Sequence, residues 1–235
     1  MKKLLFLFLF ILASASAKSQ VLISLVFGDK LNSDKIEFGL DGGLNMASLS
    51  GVDPSSSANN FNLGFYFDLK LKNPSWMVHT GVIVKSTMGA KELAVYSLND
   101  EDLDNSFAEG SVERRLGYFN VPILMKYKFS DKFFAEGGPM LGLMAKSKDV
   151  FTKEISDKED LSYERKIRDL YHPLDAGLMF GMGYRLMGGN GMNLGIRYYE
   201  GLVDVEIDDK GADVRNRSLY FTVGIPIGKG KLDQN

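Results

Sequence analysis

The sequence places ionisable residues at alternate positions of otherwise apolar segments, and these residues are the candidates for any chemistry of the chain. They are Glu37, Asp41, Asp68, Lys70, His79, Lys85, Lys126, Glu136, Asp175, Arg185 and Arg197. Successive side chains of a strand point to opposite faces, so these residues are predicted to share one face with glycine and other polar residues. Acids and bases are nearly balanced in this set. The chemistry that it predicts is therefore ion pairing on that face.

His79 is the residue of this set whose type suits acid–base catalysis near neutral pH. Beside a carboxylate it could serve as a general base, as in barrel enzymes that trim lipids. No serine or second histidine is spaced to complete a nucleophilic unit, and His172 beside Pro173 is predicted to lie at a rim. The chain has no cysteine, and its acids and histidines lack the spacing of a metal site. The sequence therefore predicts no catalytic residue, no cofactor and no metal.

Eight segments of period-two alternation carry these residues, and we predict that they are strands. They span residues 36–46, 61–70, 76–87, 118–129, 133–146, 172–186, 192–205 and 218–227. Ten residues that rise about 3.3 Å each, tilted by about 40°, span about 25 Å, which is the height of the apolar band of an outer-membrane barrel. Strands of soluble proteins are typically nearer five or six residues. Strand length therefore favours an all-β, eight-stranded, antiparallel, up-and-down transmembrane barrel.

The connections and the aromatic residues indicate which face meets lipid. Short predicted turns (72–75, 130–131, 187–191) alternate with long loops (49–60, 89–116, 147–171, 206–217), as in a barrel whose two ends lie in the periplasm. Aromatic residues of the apolar face gather near both ends, as at the two interfaces of a bilayer. They are Trp76, Tyr127, Phe129, Phe133 and Tyr184 at the short turns, and Phe61, Phe65, Phe119 and Tyr198 toward the long loops. The apolar face is thus predicted to point at lipid, and the polar face into the lumen.

The amino-terminal residues indicate that the chain is exported to the cell envelope. Residues 1–17 form a basic head, an apolar run and a small-residue cleavage site, which predicts a secretory signal peptide. Residues 18–35 are predicted to be an amino-terminal extension, residues 36–228 the barrel, and residues 229–235 a polar tail. The formal net charge of -2 gives no reason to expect a nucleic-acid partner.

An eight-stranded barrel has an interior just wide enough for side chains to fill it. We therefore expect a salt-bridged lumen without a water path, in which inward glycines make room for long side chains and Arg185 pairs with Asp175 or Asp41. Pro122 and Pro139 fall within predicted strands, where we expect a bulge or a local break. A proton or ion path through the lumen is the alternative.

Four stretches carry a resemblance to a known family: EFGLDGGLN (37–45), FNVPILMKY (119–127), AEGGPMLGL (135–143) and GIRYYEG (195–201). With these, the chain resembles the PorT-like family of small outer-membrane β-barrels over nearly all of its mature length. The resemblance implies the barrel fold. Since one such protein is linked to type IX secretion, it also implies an accessory role in protein secretion.

We therefore expect a structural or partner-binding barrel in the outer membrane, in contact with its lipids. The acidic loop segments 100–109 and 204–209 are read as a solvated rim, or as sites that dock a protein or meet lipopolysaccharide through cations. The alternatives are a lipid-acting barrel enzyme and a soluble periplasmic barrel that holds an apolar ligand.

Overall fold

The computed structural model of the chain describes residues 33–53, 55–156, 159–189, 191–207 and 211–227. The predicted signal peptide, almost all of the amino-terminal extension and the polar tail lie outside these residues. Within them, no helix has the length and apolar character needed to cross a membrane.

Nine strands lie in the described part of the chain. They are β1 (Ile36–Ser50), β2 (Ala58–Lys70), β3 (Trp76–Leu93), β4 (Ser111–Lys128), β5 (Phe133–Ser156), β6 (Glu159–Lys166), β7 (Leu174–Arg185), β8 (Asn193–Gly201) and β9 (Arg215–Pro226). A helix, α1 (Glu101–Phe107), precedes β4, and two short 3-10 turns cover Arg168–Leu170 and Met187–Gly189. Eight strands pair antiparallel in the ring β1-β2-β3-β4-β5-β7-β8-β9, which β9 closes on β1. The predicted eight-stranded barrel is confirmed, and β6 pairs with β5 outside the ring.

The strands reach further beyond the long-loop end than the sequence indicates. β3 continues to Leu93, β4 begins at Ser111 and β5 continues to Ser156, so much of the predicted loops 89–116 and 147–171 is strand. β8, in contrast, is shorter than predicted. It ends at Gly201, whereas we predict a strand to about residue 205. The dense charges of residues 147–171 suggest a loop. In the structure much of this segment is a hairpin, in which β6 pairs antiparallel with the end of β5.

Side-chain exposure follows the predicted alternation through most of each strand. Ile123 of β4 and Phe180 of β7 are 44% and 55% exposed on the outer face, whereas Tyr66 of β2 is 2% exposed inside. The aromatic residues at the short turns contact each other on the outer face, with ring centroids 4.7 Å apart for Trp76 and Tyr127. The apolar face therefore points outward.

Two β-bulges, one in β3 and one in β5, reverse the alternation near the long-loop end, and β3 has a further bulge between Ala90 and Leu93. The β3–β4 pairing passes from Ile83 opposite Asn120 to Ser86 opposite Tyr118, so β3 carries one extra residue there. β5 gains one in the same way between Met144 and Lys146. Two residues of a bulge oppose one on the partner strand, so the side chains that follow the bulge change face. Lys85, predicted for the lumen, consequently lies exposed on the outer surface, and Lys146 does the same.

The two prolines interrupt hydrogen bonding without shifting the register. Pairing between β4 and β5 stops after Pro122 opposite Met140 and resumes at Met125 opposite Gly137, with no residue inserted. Of the two predicted alternatives, the structure shows the local break. The two strands approach each other closely there. A Cβ added at Gly138 would lie only 2.3 Å from the Ile123 carbonyl oxygen.

A charge at the middle of the outer face should destabilise the barrel, because lipid cannot solvate it. We expect Leu178→Arg to cost about 2–4 kcal/mol of unfolding free energy in lipid vesicles. Met187→Arg, at an 84% exposed residue of a short turn, is the matched control and should change little. Equal urea midpoints for the two variants would contradict the assignment of the outer face.

Inward glycines should resist substitution where a ring fills their space. A Cβ at Gly39 would lie 2.3 Å from Cε1 of Tyr66 and 2.6 Å from the Ile225 carbonyl oxygen. We therefore expect Gly39→Ala to cost about 1–3 kcal/mol through overpacking. Gly211 has no atom within 4 Å of an added Cβ, so Gly211→Ala should leave the unfolding midpoint unchanged. A tolerated Gly39→Ala would show that Tyr66 does not pack there.

Candidate functional site

Arg197 is the centre of a charged network in the short-turn half of the lumen. From β8 it crosses the barrel, with its Nε donating to Glu136 of β5 at 2.5 Å and its Nη1 donating to Asp41 of β1 at 2.5 Å. Its Nη2 lies 3.0 Å from Nε2 of His79 on β3. All four side chains are buried. One guanidinium therefore links four strands across the barrel, which its planar fork of five donors allows.

His79 continues this network to a second ion pair. Its Nδ1 lies 2.6 Å from Asp68, which also accepts a hydrogen bond of 2.8 Å from Lys126. Because Arg197 can only donate, Nε2 of His79 must accept, and the proton of a neutral imidazole is then on Nδ1, facing Asp68. The Lys126 ammonium also lies 4.0 Å from the centroid of the Phe134 ring. Both nitrogens of His79 are therefore engaged within the network.

A third pair closes the network toward the short turns. Arg185 donates to Glu37 at 2.7 Å, and Glu37 also accepts a bond of 3.2 Å from the Tyr66 hydroxyl. The amide of Asn193 lies 3.4 Å from that hydroxyl. The predicted pairing of Arg185 with Asp175 or Asp41 is wrong, because the stagger of the strands brings it level with Glu37 instead. Alternation alone predicts which face a side chain occupies. It does not predict which residues lie at the same position along the barrel axis.

Asp175 belongs to a separate layer of amides and tyrosines above the charges. It accepts a bond of 2.9 Å from Asn216, whose amide also lies 3.3 Å from the Tyr118 hydroxyl. Asn120 donates to Ser86 at 3.0 Å in the same layer. Tyr118 and Asn120 lie at inward positions of a predicted strand and Asn216 lies just beyond another, whereas Ser86 is turned inward by the bulge in β3. The candidate set contains only charged residues and His79, so it leaves these uncharged groups out.

Above this layer the lumen is filled by apolar side chains. They include Leu49, Met88, Ala90, Leu93, Phe107, Val112, Leu116, Phe151, Ile167, Val205 and Val214. This apolar half was not predicted, since it depends on the two bulges that turn residues such as Met88 and Phe151 inward.

A polar cluster stabilises the loops over this core. Arg114 donates two hydrogen bonds to the buried Asp149, at 2.9 and 2.7 Å, and the Tyr96 hydroxyl donates to the same carboxylate at 2.9 Å. Burial and the charge of Asp149 raise the pKa of Tyr96 to about 12. Nearby, hydrogen bonds from the Ser97 hydroxyl and the Leu98 amide lower the pKa of Asp104. The loop next to α1 is therefore held by its own polar contacts.

The structure brings nine of the eleven candidate residues into the lumen. They are Glu37, Asp41, Asp68, His79, Lys126, Glu136, Asp175, Arg185 and Arg197. Lys70 does not join them, because it is the last residue of β2 and is exposed at the short-turn rim. Lys85 is excluded by the bulge in β3.

The lumen leaves little space among its charges. The cavity bordered by Asp41, Tyr66, His79 and Arg197 has a volume of about 10 Å³, which is at the lower limit for one water molecule. A substrate cannot reach His79 through such a space. Among the described residues, no group of three His, Asp or Glu side chains is arranged to hold a metal ion. The geometry is that of a packed polar interior.

Comparison with known families agrees with this geometry. The family model of the outer membrane protein β-barrel domain matches residues 27–206. The chain belongs to this family. Its barrel therefore lies in the outer membrane, with the outward apolar face in lipid. No curated protein sequence matches the chain.

Several solved structures share the barrel architecture at low sequence identity. Ail of Yersinia pestis is 12% identical, with a TM-score of 0.44 over 83% of this chain and 100% of that chain. Neisserial surface protein A is 13% identical, with a TM-score of 0.40 over 81% and 96%. OprG from Pseudomonas aeruginosa is 13% identical, with a TM-score of 0.33 over 82% and 93%. At these values the likeness carries no argument about function.

Removing Arg197 should destabilise the barrel without opening it. Arg197→Gln leaves Asp41 and Glu136 buried without their cation, and breaking a buried pair in this way costs about 3–5 kcal/mol. Neighbouring side chains still occupy the lumen, so we expect no stable conductance in planar bilayers. Unfolding in lipid vesicles and single-channel recording measure the two effects.

Arg217→Gln is the control for this experiment. Arg217 donates to Glu200 at 2.8 Å on the exposed rim, and exposed pairs typically contribute only about 0–1 kcal/mol. Equal losses for the two variants, or steady channels in either, would contradict a lumen sealed by the Arg197 network.

Proposed function

We propose that the protein is a non-conducting, non-enzymatic barrel that anchors a partner-binding platform outside the outer membrane. The filled lumen supports the first part, since its charges pair with each other and its loop-end half is apolar. With the interior occupied, the surfaces that remain for recognition are the two rims and the outer face. The long-loop rim is the larger and the more structured of the rims.

The platform is built on the hairpin of β5 and β6. Ile155 follows Lys146 by nine residues on β5, so it stands about 20 Å further from the membrane at about 3.3 Å per residue on a tilted strand. β6 is the last strand of the sheet order, so its outer edge has no strand partner among the described residues. Such an edge is suited to adding an extended segment of another protein.

An exposed apolar strip on this hairpin is the observation that carries the proposal. Ile155 is 65% exposed, and Leu161 and Tyr163 on β6 are also exposed. Leu161 and Tyr163 share a face with the buried Phe151, which Tyr163 opposes across the two strands, and Ile155 lies at the register shift between Glu154 and Ser156. The strip continues to a pocket of about 340 Å³ bordered by residues that include Tyr96 and Phe107. Exposed apolar surface next to a pocket is typical of a protein-binding site.

The alternatives have less support. A lipid-acting enzyme would need His79 near substrate, but this residue is buried and hydrogen-bonded through both nitrogens. A soluble periplasmic barrel is excluded by membership of the outer-membrane family. The resemblance to PorT-like barrels extends the proposal to an accessory role in protein secretion, with a protein of that apparatus as the partner.

Site-specific photo-crosslinking from the platform tests the proposal. A photoreactive amino acid at Ile155 should yield an adduct with one protein of defined mass in intact cells. The same group at Leu71, exposed in the short turn at the opposite rim, is the matched control and should not yield that adduct.

Leu161→Arg in the Ile155-labelled chain should abolish the adduct while heat-modifiable mobility shows a folded barrel. Adducts that are only with lipid, or the same pattern from Ile155 and Leu71, would contradict a partner-binding platform.

A further inference from the structure

Four cationic side chains cluster on the outer surface of the barrel, above the apolar band. They are Lys85 on β3, Arg115 on β4, and Lys146 and Lys148 on β5. Lys85 and Lys146 lie there because each belongs to a bulge that turns its side chain out of the lumen. The two bulges lie on either side of β4. They therefore place cations on both sides of one strand.

The pairing register places like charges against each other. Arg115 lies directly opposite Lys148, and Lys146 follows on the same face opposite Gly117. Like charges directly opposite on a sheet are destabilising. Glu113 lies 2.5 Å from Arg115, and Glu164 pairs with Lys148. These two carboxylates leave two cations in excess.

Those two cations are Lys85 and Lys146. Among the described residues, neither has a carboxylate within ion-pair distance. Both are exposed. They therefore have charge to offer to a ligand from outside the chain.

A pocket of about 280 Å³ lies among three of these four cations. It is bordered by Arg115, Lys146 and Lys148, by Asn59 and Asn60, and by Thr87, Glu113 and Gly117. Gly117 leaves the floor open beside the lysine, because an added Cβ would lie 3.0 Å from Cγ of Lys146. Ammonium, guanidinium and amide donors converging on one pocket are suited to phosphate oxygens.

The cluster lies at the level of lipid headgroups. Phe61 and Phe119, both exposed on the outer face, mark the upper edge of the apolar band. The Lys85 ammonium is 5.6 Å from the Phe61 ring centroid, and Arg115 lies four residues above Phe119 on β4. Since long loops face outward in such barrels, these cations meet the outer leaflet, whose glycolipids carry phosphate groups.

We propose that this cluster binds the phosphate groups of a phosphorylated glycolipid of the outer leaflet. Lys146, Arg115 and Lys148 bind a phosphate at the pocket, to which Asn59 donates a hydrogen bond, and Lys85 beside Phe61 supplies a further positive charge. The acyl chains of the same lipid lie against the apolar surface beneath, between Phe61 and Phe119. On β5 the site uses the face opposite the one that carries Phe151 and the apolar strip of the platform.

Lipid retention by the purified full-length barrel tests the proposal. The folded protein is loaded in detergent with bisphosphorylated lipid A or with the same lipid after removal of its phosphates, and native mass spectrometry measures what remains bound. We expect the phosphorylated lipid to be retained at least about tenfold better. Each cation near a charged lipid surface increases the affinity on the order of fivefold.

The double variant Lys85→Gln/Lys146→Gln removes the two cations without carboxylate partners and leaves both existing ion pairs in place. It should lower retention of bisphosphorylated lipid A by roughly 25-fold, about fivefold for each cation. Lys70→Gln/Lys132→Gln removes the same charge from exposed residues at the short-turn end and should have no effect. Heat-modifiable mobility checks that both variants are folded.

Equal retention of phosphorylated and dephosphorylated lipid would overturn the proposal, as would equal losses in the two double variants. Displacement of the lipid by an equal concentration of inorganic phosphate would also overturn it, because the acyl chains would then contribute nothing.

Discussion

Closure of the sheet is the constraint on which the rest of the structure depends. Backbone groups in lipid have no water to bond, so each strand needs a partner on both sides, and the chain meets this need by pairing β1 with β9 over Gly39–Pro226 to Ser50–Arg215. Eight strands then fix the width of the interior. That width admits side chains and little else, and every inward charge must find its partner there.

The filling of the lumen follows from this width. Charges concentrate in the short-turn half, where Arg197 links Asp41, Glu136 and His79. Amides and tyrosines follow, and the apolar core beneath α1 closes the long-loop end. Glycine admits the larger groups, as Gly39 does for Tyr66. Recognition is thereby left to the outside of the molecule, which is why both proposals concern its surface.

Period-two alternation was sufficient to predict the eight strands, the outward apolar face and nine of the eleven lumen residues. It failed where the orientation or the partner of a side chain depends on pairing with a neighbouring strand. The bulge that exposes Lys85 is set by pairing with β4, and the partner of Arg185 is set by strand stagger. β6 falls in a predicted loop because its dense charges show no apolar alternation, and only its pairing with β5 identifies it as a strand. Local pattern fixes a face, whereas register and height are properties of the closed sheet.

The central claim is that folding seals the lumen, and the accessibility of a single lumen thiol tests it most directly. The chain has no cysteine, so Ser86→Cys introduces a unique thiol at a position that is 2% exposed inside the barrel. Ser130→Cys in a short turn provides the reference rate. A charged maleimide should label residue 130 rapidly and leave residue 86 unlabelled until the barrel is unfolded. Labelling of residue 86 in the folded barrel at a rate near that of residue 130 would contradict a sealed lumen.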